Sequence, residues 1–523
     1  MNCSVFSEYE WLYPDSPPSA VREIQLEGAR GAYVGCQLLG GEIGQGEALS
    51  CSVRWTGEAL PQPVLFQMID VGVPKNSDPV AFTTLDYASC ADYVTRQAPF
   101  RVYDALRPLS DGPTRPGRLA LYLRFRLPAG QKPGTYTGML TLTAGAQIDE
   151  LPVSVTLHAA TIPSPGEGRL GMINCFHFQN ICEHHGVDLW SEEYWALYRK
   201  YAGAQAYLRC TYVMLPAPVP VYDASGVLTG FDFTHAVRTA QIAMEEGVRM
   251  VCGAHLAHWI TPADVDYVLG WNKQISALSL EGYLQLSIYL RQWAEIIREN
   301  GWEGRVVQAL ADEPQENNGQ TYRQIAAICR KFLPGVPIMD AVETCNLGGA
   351  IDYWVLKQDN YEVQREAFEK LRRSGELLWY YTCAFPGGKI MNRTLDLPLL
   401  VSREILWMGF GYNLSGFLHW GFNFHRGKDI WTDSCAVQDG QDLPPGDAHV
   451  VYAGNNCVWH SLRLEAQRAG AEEYELLSMI AARDEQKAHA ISNSVCRSFR
   501  DYTRDPKVFD AARHELLLEA SKS

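Results

Sequence analysis

The apolar and polar positions along the chain follow two periods, one after the other. Between residues 20 and 160, short runs alternate apolar with polar, as at 119–127 and 151–157, and Pro/Gly turns separate them. A period of two turns one face of each run inward, so each predicts a half-buried strand. The turn Lys132-Pro133-Gly134-Thr135-Tyr136-Thr137-Gly138 leads into one such strand at 139–143. Several short strands without a helical stretch between them predict a β-sandwich over residues 1–162. The segment Thr161-Ile162-Pro163-Ser164-Pro165-Gly166-Glu167-Gly168 interrupts regular structure and marks a boundary.

From Arg169 the pattern becomes strand and helix in alternation. Apolar runs at 170–176, 207–215, 249–255, 306–311, 337–341, 353–357, 377–382 and 416–420 read as buried parallel strands. Helical patterns fill most of the gaps, at 192–203, 234–246, 283–299, 321–332, 361–374 and 398–411. Eight such units predict an α/β fold, a (β/α)8 TIM-like barrel over residues 168–523 with a C-terminal helical extension. A doubly wound sheet is the rival, and the count of eight favours the barrel. Residues 424–457 form a polar, Gly/Pro-rich excursion expected over the catalytic face. Residues 459–482 read as a strong helix outside the eighth strand, and the C-terminal segment as helical and peripheral.

Composition narrows the function. A net charge of −15 with no basic cluster argues against a nucleic-acid partner. No run approaches the ~20 apolar residues of a membrane span. The start, Met1-Asn2-Cys3-Ser4-Val5-Phe6-Ser7-Glu8, shows neither a basic n-region nor an apolar h-region, so no signal peptide is read and a cytoplasmic location is expected. The 14 Cys are scattered singly, with no zinc-like spacing, which predicts reduced thiols and no metal site.

The candidate chemistry lies where the fourth predicted strand stops, in Asp312-Glu313-Pro314. Two carboxylates ending an apolar strand do not belong in the core, because an unpaired buried charge costs too much. In an α/β barrel that end faces the active-site loops. An exposed turn opening the next helix is the plain alternative. The ends of three other strands tip the balance: His255 to His258-Trp259, Trp379-Tyr380-Tyr381, and His419-Trp420-Gly421-Phe422-Asn423. Acids within an aromatic rim suit cleavage of a glycosidic bond, in which a carboxylic acid protonates the leaving oxygen and negative charge stabilises an oxocarbenium-like centre. Adjacent acids share one rim position and do not flank a sugar from opposite sides. They suit a substrate that brings its own nucleophile, the 2-acetamido group of an N-acetylhexosamine, which closes on the anomeric carbon as an oxazoline. Glu313 is then the general acid/base, and Asp312 holds the acetamido N–H and stabilises the developing positive charge.

The chain resembles glycoside hydrolase family 123, the β-N-acetylgalactosaminidases and the wider set of proteins sharing that catalytic domain, over residues ~102–477. The resemblance rests on Tyr103-Asp104-Ala105-Leu106-Arg107-Pro108-Leu109, the 132–138 turn, Asp312-Glu313-Pro314 and Trp379-Tyr380-Tyr381-Thr382. It continues in Gly416-Phe417-Leu418-His419-Trp420-Gly421-Phe422-Asn423 and Ser461-Leu462-Arg463-Leu464-Glu465-Ala466. It implies a β-sandwich before the barrel, the acid pair in the roles above, a carbohydrate substrate, and no metal or organic cofactor. Release of β-linked N-acetylgalactosamine, exo-acting and with retention, is the expectation. Two features depart from the family. Many members are secreted, and where they commonly carry Gly-Asp-Gly…Tyr-Pro-Gly this chain reads Gly446-Asp447-Ala448-His449-Val450-Val451-Tyr452-Ala453-Gly454.

Neighbouring side chains on a strand face opposite ways, so Trp379 and Tyr381 are expected inward together, Tyr381 donating to the acetamido oxygen. Trp420 is expected against the acetamido methyl or pyranose ring, Asn423 on sugar hydroxyls, and His258 with Trp259 at the rim. Asn392 and Arg393 are expected to pair locally. Two other readings remain open. One is a non-acetamido sugar with Glu343 or Asp359 as protein nucleophile; the other is a non-catalytic carbohydrate-binding protein.

Overall fold

The computed structural model describes residues 2–261, 263–425 and 428–522. Two sheets face each other in its N-terminal part. The larger has seven strands in the order Ser4–Ser7, Tyr33–Ile43, Gly117–Arg126, Val64–Val73, Phe100–Pro108, Val458–Ser461, Val451–Ala453. The smaller has four: Ile24–Arg30, Gln147–Thr161, Gly134–Ala144, Leu49–Trp55. In Gln147–Thr161 the period of two is realised, with Leu151, Val153, Val155 and Leu157 buried and Glu150 and Pro152 exposed. Gly117–Arg126 is instead buried on both faces from Leu119 to Leu123. Leu119, Leu121 and Leu123 share a core with Leu140 and Val153 of the facing sheet. Ala120 and Tyr122 pack the other way, with Leu395, Leu399 and Leu462 of the C-terminal part. The seven-stranded sheet is therefore a middle layer.

Eight parallel strands occupy the eight expected positions: Gly171–Asn174, Tyr212–Met214, Met250–Gly253, Val306–Gln308, Met339–Val342, Tyr353–Lys357, Leu377–Thr382 and Gly416–His419. They form two sheets, one joining the first, eighth, seventh, sixth and fifth strands, the other the second, third and fourth. A parallel bridge between Gln308 and Ile338 links fourth to fifth. Thr211 N donates to Met172 O at 2.9 Å beside the first and second. The strand bodies enclose Ile173, Tyr212, Cys252, Val307, Met339, Val355 and Trp379 in one buried cluster. Gly171 and Gly416 make room for that indole, since a Cβ on either would stand 1.9 and 2.0 Å from it.

The long helices Glu192–Tyr207, Thr234–Glu245, Leu280–Glu299, Gly319–Phe332 and Val401–Gly411 match the expected ones. The helix expected at 361–374 is two, Gln358–Val363 and Arg365–Arg373. A larger correction concerns 459–482. Residues Val458–Ser461 are a strand, His460 pairing with Leu106, and the helix Leu462–Ala481 begins only where Ser461 Oγ accepts from Leu464 N at 3.0 Å. Nor is it an outer helix. Arg463, Glu465, Arg468, Glu472 and Glu473 are all buried, and their charges are paired, as in Arg463 to Asp104 at 2.9 Å. The 424–457 excursion is shared: Gln438 to Leu443 reach the strand ends, while Trp431 O accepts from Gly72 N at 3.1 Å in the sandwich. All fourteen cysteines are free, and no helix among the described residues is long and apolar enough to cross a membrane.

Candidate active site

A cleft of about 520 Å³ opens where the parallel strands end. Apolar side chains such as Ile173, Met214, Ala309 and Leu418 form its floor, and His255, Asp312, Glu313, Asp340 and Tyr381 are its polar groups. Trp420 and Phe385 stand at its sides; Phe82 from the N-terminal part and Gln438, Asp439 and Gln441 from the excursion close over it. A larger concavity, about 980 Å³, lies against Ser7, Glu27 and Asp510, away from the strand ends.

The acid pair is held by its backbone. Glu313 takes a left-handed conformation, φ +47°, uncommon for a side chain of its size and worth about 1–3 kcal/mol of strain. Its N–H donates to Ala341 O at 3.1 Å, and Glu343 N donates to Pro314 O at 3.2 Å, so the ends of the fourth and fifth strands fix the turn. Trp259 Nε1 donates to the Asp312 carbonyl at 2.8 Å.

The charges are unequal. Burial, then the neighbouring Asp312 charge, pushes the Glu313 carboxyl up to about 7, against the opposing effects of a Tyr381 O–H donated to its Oε1 and of Lys357. Asp312 has an open path to solvent, yet it lies deep in a concave site with protein on its other sides. That desolvation, with Asp340 and Glu343, raises its carboxyl, while His255 opposes the rise. His255 is held above its ordinary value because Asp340 and Asp312 outweigh the effect of burial. Asp340 Oδ1 lies 3.3 Å from His255 Nε2, and Asp340 Oδ2 accepts from Leu310 N at 2.8 Å, Ala311 N at 3.2 Å and Tyr322 O–H at 2.6 Å. The result is a carboxylic acid that keeps its proton near neutrality beside a second acid, in a cleft shared with a His255 ring whose charged form is favoured. Glu343 is less available, being paired with Lys357 and receiving Gln315 Nε2 at 3.2 Å.

Of the residues expected in the site, Asp312, Glu313, Tyr381 and Trp420 meet in the cleft. Tyr381 spends its hydroxyl on Glu313, and Trp420 Nε1 donates to the buried Asp447 at 2.8 Å. Trp379 faces inward with Tyr381 but lies deeper, packed edge-on to Tyr212 at 5.4 Å. Asn423 is buried, and both ends of its amide are used by the His177 backbone, at 2.9 and 3.1 Å. His258 lines an adjoining hollow of about 200 Å³, its ring 6.0 Å from that of His255. Arg393 N donates to Asn392 Oδ1 at 2.8 Å, the expected local pairing, but its fully buried guanidinium pairs over long range, donating to Asn174 at 2.6 Å and meeting His419 at 2.7 Å. Asn392 donates to Cys383 O at 2.8 Å. Asp340 escaped the sequence reading, although a lone charge inside the apolar run 337–341 was its signal.

The family model for the glycoside hydrolase 123 catalytic domain matches residues 176–480. No curated protein matches by sequence. A solved family 123 glycoside hydrolase from Clostridium perfringens, described for glycolipid glycan hydrolysis, aligns over 99% of this chain and 97% of its own at TM-score 0.68 and 12% identity. A Bacteroides ovatus GH5 xyloglucanase aligns over 90% and 99% at 11% identity, but its TM-score of 0.33 carries no weight. With the acid pair inside the matched segment, the chain belongs to glycoside hydrolase family 123 and is a glycoside hydrolase.

Proposed function

We propose that this enzyme releases β-linked N-acetylhexosamine, N-acetylgalactosamine by family resemblance, from the non-reducing end of a glycan or glycolipid, with retention and through an oxazoline. One observation carries the reading: Glu313 holds its proton up to about 7 directly beside Asp312, while Glu343, the next carboxylate along the rim, is tied to Lys357. Glu343 is therefore not free to serve as a protein nucleophile across the sugar, and a substrate acetamide supplies one. Glu313 protonates the leaving oxygen and later deprotonates water; Asp312 orients the acetamide and balances the oxazolinium charge. Trp420 offers the ring face for the sugar. We further read the two parallel sheets as one (β/α)8 ring, 168–523, preceded by a β-sandwich, 1–162. The fourteen free thiols support a reducing, cytoplasmic setting. The C. perfringens enzyme's glycolipid glycan makes that substrate class the first to try.

The test compares aryl β-galactosaminides carrying acetyl or trifluoroacetyl on nitrogen. Fluorination weakens the carbonyl oxygen as a nucleophile, so wild-type turnover falls steeply across the series. Asp312→Asn slows the first chemical step by a few kcal/mol, on the scale of a lost charge-stabilising partner, and added azide gives no rescue. Indifference to fluorination together with azide rescue, yielding a glycosyl azide of inverted configuration, would make Asp312 an ordinary nucleophile.

A further inference from the structure

We propose that Glu27, His158 and His514 form a site for a divalent transition-metal ion, Zn²⁺ by its donor set, which clips the C-terminal helix onto the sandwich. The three residues stand on separate elements: Ile24–Arg30, Gln147–Thr161 and the helix Pro506–Ala520. One ligand atom from each lies within 4.8 Å of the other two. His158 Nε2 and His514 Nδ1 both lie 2.9 Å from Glu27 Oε2. Positions 27, 158 and 514 have no local spacing, so nothing in the sequence announces the set.

Two imidazoles and one carboxylate suit zinc, whereas calcium and magnesium prefer oxygen throughout. Metal–ligand bonds of ~2.0–2.1 Å at tetrahedral angles require the ligand atoms to stand roughly 3.3 Å apart. The 2.9 Å separations must therefore open by a few tenths of an ångström. His158 is buried and fixed, but His514 is 56% exposed on an outer helix and is free to swing. Its exposure also leaves the fourth position to water. Arg513 opposes binding, with Nη1 3.9 Å from Glu27 Oε1, although its Nε is engaged by Glu473 at 2.8 Å. That nearby charge weakens affinity without closing the site.

An ion bound only by the folded chain stabilises it by mass action. Chelator-treated full-length protein is titrated with Zn²⁺ by calorimetry, and its thermal midpoint is read with Zn²⁺, Ca²⁺ or chelator. The expected result is one tight equivalent, a rise of ~2–4 °C with Zn²⁺, and no response to Ca²⁺. His514→Ala loses that equivalent and the rise, while its midpoint in chelator and its glycosidase activity stay at wild-type values. Co²⁺ as a spectroscopic substitute separates this site from adventitious thiol binding, because it gives ligand-field bands without thiolate charge transfer. Glu27→Gln serves as a second variant, keeping size and removing the anionic ligand. A wild type that does not respond to Zn²⁺, or a His514→Ala protein that responds as fully as wild type, overturns the site.

Discussion

Under the proposed mechanism, the burial and the Asp312 charge that hold a proton on Glu313 near neutrality should also set the pH range of the enzyme. The acid works protonated, so kcat/KM falls as pH rises through about 7. Asp312 works ionised, and its raised carboxyl makes activity fall again on the acid side. The Tyr381 hydroxyl lowers Glu313 by donating to it. Tyr381→Phe should therefore move the basic limb upward by about one unit; an unmoved limb would mean the bond is not made in the free enzyme. Glu313→Gln should cut turnover of poorly leaving aglycones by ~10²–10⁴ and of activated aryl glycosides much less. Equal losses on both would remove Glu313 from the acid role. The same shift bears on stability. A folded-state value above the ordinary 4.5 means the native state is penalised as Glu313 ionises, so stability present below about 4.5 is lost as pH climbs through about 7. Glu313→Gln, slowed on natural substrates, should then exceed wild type in stability by about 3 kcal/mol at pH 8 and match it at pH 4. Urea unfolding at the two pH values reads the difference.

Strands were the most legible elements, because an apolar run buried on both faces leaves little else for a chain to do with it. All eight parallel strands fall inside or beside the runs read from residues 170–420. The acid pair was legible for the converse reason, since charge at the end of such a run needs a purpose. Period and spacing could not say which charges find partners. Residues 459–482 read as a helix outside the eighth strand, yet the charges of Leu462–Ala481 meet Asp104, Arg403 and Arg124 from distant parts of the chain. Asn423 sits at the right strand end, but His177, at the end of the first strand, takes its amide. Asp340 illustrates what an element can do for a site it only borders. Fixed by two backbone N–H groups and Tyr322, it favours the charged form of His255 beside Asp312. Asp340→Asn keeps the shape and removes the charge. The His255 imidazole then loses its main support, and its titration, followed by NMR, should move to lower pH. An unchanged His255 titration with reduced stability would leave Asp340 a purely structural residue.

Across the whole molecule, the seven-stranded sheet takes its last two strands from residues 451–461, so the N-terminal part is completed by chain from beyond the catalytic strands. Asp104 and Arg463 lie on that seam, both fully buried. Asp104 Oδ2 accepts from Arg463 Nη2 at 2.9 Å and from Tyr452 O–H at 2.6 Å, and Arg463 Nη1 donates to Arg393 O at 3.0 Å. Removing one partner of a buried pair leaves a charge without compensation and costs about 3–5 kcal/mol, whereas replacing both with apolar groups costs far less. Asp104→Ala should accordingly be strongly destabilising, and Asp104→Leu with Arg463→Met much less so. If the seam joins the two parts into one cooperative unit, calorimetry of the wild type gives a single transition, and Asp104→Ala lowers that transition whole. Loss of glycosidase activity should follow the same curve as loss of near-ultraviolet signal from the sandwich, since Gly446, in the loop behind Trp420, also receives Arg463 Nη1. Two separated transitions, with only the lower one moved by Asp104→Ala, would show that sandwich and catalytic part unfold independently and that the shared strands are an ornament of the boundary.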